Sequence, residues 1–148
     1  MKSLLAIVAL IAFPGLLPAC SCDRTTVEQS FDAAELVFRS RVISESDRVG
    51  AFDRRVVFQV AKVYKGAPGG TIEIMGLAGG SDCIGFTTGA PKVGQSLIVY
   101  ANLRNWRTPI IKEWVVSQCS RPGLLPRAGP DIPALDSLAA KRAGRTGK

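Results

Sequence analysis

Four cysteines constrain the fold of this chain more than any other feature of its sequence. They are Cys20, Cys22, Cys83 and Cys119. A bridge between Cys20 and Cys22 would close too tight a ring for ordinary disulfide geometry, so each is expected to reach a distant partner, either Cys83 or Cys119. Bridges over loops of this length contribute about 4 kcal/mol each in the chain-entropy model. The beginning of the domain is therefore expected to be tied to two distant points of the chain.

The residues before these cysteines have the pattern of a signal peptide. Lys2 supplies a positive charge, residues 4–13 form an apolar run, and Pro14-Gly15 interrupts it shortly before Ala19. A membrane-spanning helix needs about 20 apolar residues and would not stop at a Pro-Gly pair. Residues 1–19 are therefore expected to be removed on export, and an even number of cysteines in an exported chain indicates disulfides.

The cleavage site leaves two alternatives for Cys20. Ordinary cleavage would give this residue a free α-amino group. In the alternative, residues 17–20 (Leu-Pro-Ala-Cys) act as a lipobox and Cys20 receives lipid, which would leave one of the other cysteines without a partner. The even cysteine count favours ordinary cleavage and a secreted or periplasmic protein, with a membrane-anchored lipoprotein as the alternative.

The distribution of charge argues against nucleic-acid binding. The net charge is +7, but residues 120–148 hold six basic and two acidic residues, whereas residues 20–119 hold twelve basic and ten acidic ones. A basic tail on a nearly balanced body is not the pattern of a nucleic-acid groove. The chain also contains no His, so the usual general base is missing. We expect no enzymatic activity, no cofactor and no nucleic-acid partner.

Five segments have the apolar alternation or β-branched composition of strands: residues 35–43, 54–64, 71–75, 96–102 and 109–117. Residues 96–102 are nearly all apolar, which indicates a strand buried on both faces. Turn signals separate the segments, and no βαβ rhythm is present. The sequence therefore predicts a mainly β fold, a five-stranded closed barrel of the oligonucleotide/oligosaccharide-binding (OB) type, with a β-sandwich as the alternative.

Helices are predicted at both ends of this barrel. Thr25 and Glu28 fit a capping box, which predicts a short N-terminal helix running to about Ala34. The Pro- and Gly-rich residues 121–130 predict an extended linker. A C-terminal helix is expected from Asp131 to a stop at Gly144, either docked on the barrel or frayed. The predicted organisation is a signal peptide (1–19), a barrel domain (20–119) and a basic tail (120–148).

A bridged Cys20 at the start of the mature chain would offer a specific chemistry. Its α-amino nitrogen and carbonyl oxygen form a bidentate donor pair that fits the open position of another protein's catalytic zinc, with Zn–N about 2.0–2.1 Å. The amine binds only when neutral, and its reference pKa is about 7.7–8.0. Binding is therefore expected to release a proton and to weaken in acid.

A series of short motifs, in order, resembles the amino-terminal (netrin-like) domain of the tissue inhibitors of metalloproteinases, in a short form like that of bacterial relatives. The motifs are Cys-Ser-Cys at 20–22, Phe-Asp-Ala-Ala-Glu-Leu-Val-Phe-Arg at 31–39, Val-Tyr-Lys-Gly at 63–66, Ser-Asp-Cys at 81–83 and Gln-Cys at 118–119. The resemblance implies the barrel fold, Cys20–Cys83 and Cys22–Cys119 bridges, and chelation of a target's zinc by Cys20.

The resemblance also implies an inhibitory ridge on which the Ser21 side chain enters the main specificity pocket of the protease. The ridge residues are Cys20, Ser21, Cys22, Asp23, Ser81 and Asp82. The expected function is that of a secreted, monomeric inhibitor of a zinc metalloproteinase that carries no metal of its own. The alternative is a lipid-anchored envelope module that uses the same barrel for protein or glycan contacts, with membrane attachment only if Cys20 is lipidated.

Overall fold

The computed structural model describes residues 22, 25–47, 53–77, 83–86, 91–106, 111–117 and 119–146. The elements are helix α1 (Val27–Ala33), strands β1 (Leu36–Asp47), β2 (Asp53–Lys65), β3 (Thr71–Leu77), β4 (Ser96–Trp106), β5 (Ile111–Val115) and β6 (Gly123–Leu124), a 3₁₀ turn (Gly129–Asp131) and helix α2 (Ile132–Thr146). None of the helices in these ranges is both long and apolar enough to cross a bilayer.

The first five strands close into a barrel. Hydrogen bonding runs in the order β1-β2-β3-β5-β4, and β4 pairs back to β1. All of these pairings are antiparallel except β3 with β5, which meet in parallel at Met75 and Val115. The short β6 adds to the free side of β4 at Leu97 and Ile98. The predicted mainly β fold with a five-stranded, OB-fold-like closed barrel is confirmed, and the sandwich alternative is wrong.

Two apolar clusters explain why the strands have these sequences. The first fills the barrel and includes Val56 and Phe58, whose alternation along β2 was the sequence signal. The second lies between the outer surface of the barrel and the two helices, and includes Ile98 and Tyr100 of β4. Residues 97–101 of β4 are all buried because one face of this strand lines the barrel and the other lies under the helices. The prediction that this strand is buried on both faces is confirmed.

Strand β1 is longer than predicted. The predicted strand ended at Ile43, before polar residues with the composition of a turn, but β1 continues to Asp47 and stays paired with β2. The register skips Ile43, since Val42 lies opposite Phe58 and Ser44 lies opposite Val57, so a bulge re-aims the strand at this point. The residues after the bulge are polar, as in a turn, although their backbone is paired. Composition alone therefore does not distinguish a turn from a polar strand.

The capping box of α1 lies one residue later than predicted. Thr26, not Thr25, is the N-cap: its Oγ1 accepts from the Gln29 amide at 3.2 Å, and the Gln29 Oε1 accepts from the Thr26 amide at 2.9 Å. Thr25 instead shares a hydrogen bond of 2.8 Å with the Ser30 hydroxyl. The helix exists as predicted but ends at Ala33, one residue before the predicted end.

The C-terminal region packs against the barrel. The predicted extended linker at residues 121–130 is wrong: the segment contains β6, and the Ala128 amide donates to the Leu124 carbonyl at 3.1 Å. A Cβ at Gly123 would lie 2.7 Å from the Ala128 Cβ, so this close approach requires glycine. Helix α2 is docked rather than frayed, with Leu135 fully buried in the second cluster, and it continues past Gly144, where a stop was predicted.

Candidate functional site: the tethered start of the domain

Cys22 is the residue of the predicted ridge that the structure describes, and it is exposed. It forms a disulfide with Cys119, which is 97 residues further along the chain, and the two Cα atoms are 5.1 Å apart. This is the pairing that the resemblance implies for Cys22. The other ridge residues lie outside the described residues; they are Cys20, Ser21, Asp23, Ser81 and Asp82.

Cys83 also forms a disulfide. Its expected partner, Cys20, lies outside the described residues. The Cys83 backbone has φ of 55°, a left-handed conformation that residues other than glycine seldom adopt. The residues that follow hold it there: the Gly85 amide donates to the Val116 carbonyl at 2.7 Å, and Phe86 packs beside Phe58 with ring centroids 6.1 Å apart. Cys83 is thus anchored where residues 83–86 meet the barrel core.

Ser117 connects the two cysteine segments. Its hydroxyl donates to the Cys83 carbonyl at 3.3 Å and accepts from the Cys119 amide at 3.1 Å. The backbone of Ser117 forms an isolated bridge with Ile84. One half-buried side chain therefore holds Cys83 beside Cys119, and so beside the bridge to Cys22. Ser117 was not predicted from the sequence; the signal that could have identified it is a serine two residues before a cysteine, a spacing typical of a serine turn.

Arg121 ties the segment after Cys22 to the C-terminal region. Its Nη1 donates to the Thr25 carbonyl at 2.9 Å, while Nε and Nη2 donate to the two carboxylate oxygens of Asp131 at 2.7 and 3.1 Å. These hydrogen bonds to Asp131 are the main reason that the pKa of Arg121 is raised, so the guanidinium stays charged. From the sequence, Arg121 was predicted to lie in an extended linker, and no role was expected for it.

Lys65 closes the other end of α1. Its ammonium donates to the Phe31 and Asp32 carbonyls at 2.8 and 3.0 Å, in the last turn of the helix. The same ammonium lies 5.3 Å from the centroid of the Phe31 ring. Burial lowers the pKa of Lys65, but the carbonyls and the ring favour its charged form. Lys65 belongs to the Val-Tyr-Lys-Gly motif, which therefore has a structural task here.

The longest of the motifs that carry the family resemblance, at 31–39, also stabilises the fold. The Glu35 carboxylate accepts from the Leu103 amide at 3.0 Å, and the Glu35 amide donates to the Asn102 side chain at 3.0 Å. Phe31 and Phe38 fill the two apolar clusters. The hydrogen bonds of Glu35 join β1 to β4, and the two phenylalanines pack α1 and β1 into the apolar clusters, so this motif has a structural role.

No three carboxylate, thiol or imidazole side chains are grouped so as to hold a metal ion within the described part of the chain. Comparison with protein-family models gives no match, and no curated protein matches the chain. The class that the fold and the site define is a small, disulfide-bonded, five-stranded barrel with two helices on its outer surface. Its disulfide is compatible with an extracellular or periplasmic location.

Proposed function

We propose that this protein is a secreted inhibitor of zinc metalloproteinases, whose mature chain begins at Cys20. The α-amino nitrogen and carbonyl oxygen of Cys20 bind the target's catalytic zinc and displace its water. The observation that carries this proposal is the Cys22–Cys119 disulfide, which fixes an exposed residue two positions from the proposed chain start. The resemblance to the tissue inhibitors of metalloproteinases supports it through the ordered series of short motifs that includes the four cysteines.

The surroundings of Cys22 support this role by reducing the cost of ordering. A donor pair on a mobile chain end would lose conformational freedom on binding, which weakens affinity. Here Arg121 holds the Thr25 carbonyl, and Ser117 holds Cys83 next to Cys119. In the proposal, Cys20 is the disulfide partner of Cys83. Each bridge then includes a cysteine whose backbone is hydrogen-bonded to Ser117, and the donor pair is rigid before the target binds.

In the proposal, the other ridge residues also contact the protease. The Ser21 side chain enters the specificity pocket of the protease, and Asp23, Ser81 and Asp82 contact the cleft on either side. Residues 1–19 act as a signal peptide, and export exposes the chain to the oxidising conditions in which its disulfides form.

Titration of the purified mature protein against a small panel of zinc endopeptidases tests this function. We expect inhibition by the protein that begins at Cys20 and none by a variant with one Ala added before Cys20, because the added residue moves the amine away from the metal. A variant with one Ala added after Lys148 is the matched control and should inhibit like the parent. Equal inhibition by both extended proteins, or none by the parent, would contradict the proposal.

Intact-mass measurement of the exported protein separates the proposal from the lipoprotein alternative. A chain that starts at unmodified Cys20 and contains two disulfides supports the inhibitor. Added lipid mass would block the amine and favour a membrane-anchored envelope module that uses the barrel for protein or glycan contacts.

A further inference from the structure

A groove of about 480 Å³ lies on the barrel surface over β1, β2 and β4. Its lining includes Arg39 and Arg41 of β1, Gln59 and Ala61 of β2, and Ser96 at the start of β4, with Leu125 from the turn after β6. None of these residues belongs to the proposed inhibitory ridge. The groove is therefore a separate feature of the surface.

The charged residues that the structure describes in this groove are both arginines. Arg39 and Arg41 are two positions apart on one strand, so their side chains leave the same face of β1. Neither makes an ion pair with another described residue. Lys62, opposite Arg39 in the β1–β2 register, is in contrast paired with Asp136 of α2 at 2.6 Å. Asp136 thus neutralises the neighbouring lysine, whereas the two guanidinium groups of the groove have no carboxylate partner among the described residues.

The turn before β4 is hydrogen-bonded to β1 next to Arg41. The Gly94 amide donates to the Val42 carbonyl at 2.9 Å, and the Val42 amide donates to the Gln95 carbonyl at 2.8 Å. A Cβ added to Gly94 would lie 3.7 Å from the Arg41 Nη2, so the guanidinium lies near this turn at the edge of the groove.

The uncharged lining narrows the class of ligand. The Gln59 amide and the Ser96 hydroxyl can each donate and accept hydrogen bonds, which suits hydroxyl groups. Ala61 and Leu125 offer aliphatic surface. No described lining residue is aromatic, so the groove lacks the stacking platform that binding of single-stranded nucleic acid uses.

We infer that this groove binds a sugar that carries a sulfate or phosphate ester. The ester oxygens accept charge-assisted hydrogen bonds from Arg39 and Arg41, whose planar guanidinium groups match oxyanions in two-point contacts. The sugar hydroxyls bond to Gln59 and Ser96. This inference does not depend on the proposed inhibitory function.

Calorimetric titration of the purified protein tests the inference, at about 0.15 M salt so that exposed charges are screened. The probes are a sulfated disaccharide, the same disaccharide with a phosphate ester, and the unsubstituted disaccharide. We expect an esterified probe to bind at least about tenfold more tightly than the unsubstituted one, because charge-assisted hydrogen bonds are about twice as strong as neutral ones. The two esterified arms identify which oxyanion the groove prefers.

A pair of double variants separates the groove from general charge. Arg39→Gln with Arg41→Gln should weaken binding of the esterified sugar about tenfold or more. Arg104→Gln with Lys112→Gln removes the same charge from exposed positions of β4 and β5 and should leave binding unchanged. Gln59→Ala keeps both arginines and should reduce affinity for the esterified sugar but not for inorganic sulfate.

Three results would overturn the inference: no binding of either esterified probe, equal binding of the unsubstituted sugar, or equal losses in the two double variants. Circular dichroism of each variant excludes unfolding as the cause of a loss. The Arg39 and Arg41 variant should still inhibit metalloproteinases, so failure of this inference is distinguishable from failure of the proposed function.

Discussion

The hydroxyl of Ser117 touches the segments of both Cys83 and Cys119, which makes it the residue whose removal should be most informative. Ser117→Ala leaves the Cys119 amide and the Cys83 carbonyl without these hydrogen bonds at a half-buried position. We expect a loss of about 1–2 kcal/mol in the free energy of unfolding, measured by urea denaturation with the disulfides intact. Ser137→Ala, at an exposed position of α2, is the control and should stay within about 0.5 kcal/mol of the parent. Equal stability of the two variants would show that Ser117 does not hold the site.

Gly66 permits the chain to turn back at the end of β2. Its φ is 79°, and an added Cβ would lie 2.3 Å from the Leu36 Cδ2 and 2.8 Å from the Glu35 carbonyl oxygen. Gly66→Ala should therefore destabilise the protein by about 1–3 kcal/mol in thermal unfolding. At Gly70 an added Cβ meets no atom within 4 Å, so Gly70→Ala should be neutral or stabilising by up to about 1 kcal/mol. A similar loss at both positions would contradict the backbone explanation.

The pH dependence of inhibition follows from the proposed metal ligand. The α-amine binds zinc only in its neutral form, and its reference pKa is about 7.7–8.0. Below that pKa, each unit of pH should weaken binding about tenfold, because a proton must be released first. Calorimetry in two buffers of different ionisation enthalpy measures the protons released on binding. Release of no proton at pH 6.5 would contradict coordination by the amine.

At the level of secondary structure, the junction between β3 and β5 has the least pairing among the described residues of the barrel strands. The two strands meet at one described pair, Met75 with Val115, and Arg55 of β2 spans the junction. Its guanidinium bonds Glu73 of β3 at 2.8 Å and also bonds Glu113 of β5. Burial lowers the pKa of Arg55, but its hydrogen bonds to the two carboxylates outweigh that effect and the pKa is raised. Arg55 thus connects three strands where backbone hydrogen bonds are few.

Removal of this arginine should destabilise the barrel. The side chains of Arg55 and Glu113 are only 15% and 12% exposed, so Arg55→Met leaves a largely buried carboxylate without its partner. We expect a loss near the lower end of the about 3–5 kcal/mol that such a change costs at buried sites, measured by urea denaturation. Lys62→Met breaks an ion pair whose two side chains are each 45% exposed, and should cost less than about 1 kcal/mol. Equal effects would show that the junction does not depend on Arg55.

The strands were predictable where one face of each is buried. The alternation of Val56 and Phe58 and the apolar run of β4 indicate which side chains are buried inside the barrel. The extension of β1 past Ser44 was not predictable, since it depends on pairing with β2 across a bulge. The prediction of an extended linker at residues 121–130 was wrong for a similar reason. Their Pro- and Gly-rich composition does not show that Gly123 packs closely against Ala128.

For the candidate site, the sequence and the resemblance predicted the pairing of Cys22 but not the contacts that hold the cysteine segments in place. The spacing of the cysteines left Cys83 and Cys119 both open as partners of Cys22, whereas the resemblance implied Cys119, and the structure joins Cys22 to Cys119. Ser117 and Arg121 could not be identified, because a serine and an arginine are common surface residues whose roles arise only when distant segments meet. The contacts of Arg121 with Thr25 and Asp131 span 96 and 10 positions of sequence.

For the molecule as a whole, the C-terminal region belongs to the same folded unit as the barrel. Leu135 of α2 is fully buried in the cluster that also contains Val37, Ile98 and Tyr100. Leu135→Ala should therefore cost about 2–5 kcal/mol, in a single unfolding transition that includes the barrel. Lys141→Ala, at an exposed position of the same helix, should stay within about 0.5 kcal/mol of the parent. A separate early transition for α2, with the barrel unaffected, would show an independent tail.

The most direct test of the central claim uses a zinc endopeptidase in which cobalt replaces the catalytic zinc, because the visible absorption of bound cobalt reports its ligands. Binding of the protein that begins at Cys20 should replace the metal-bound water with a nitrogen and an oxygen donor and change the spectrum in a one-to-one titration. The variant with one Ala before Cys20 should leave the spectrum unchanged. Inhibition by the parent without any spectral change would contradict coordination of the metal by the start of this chain.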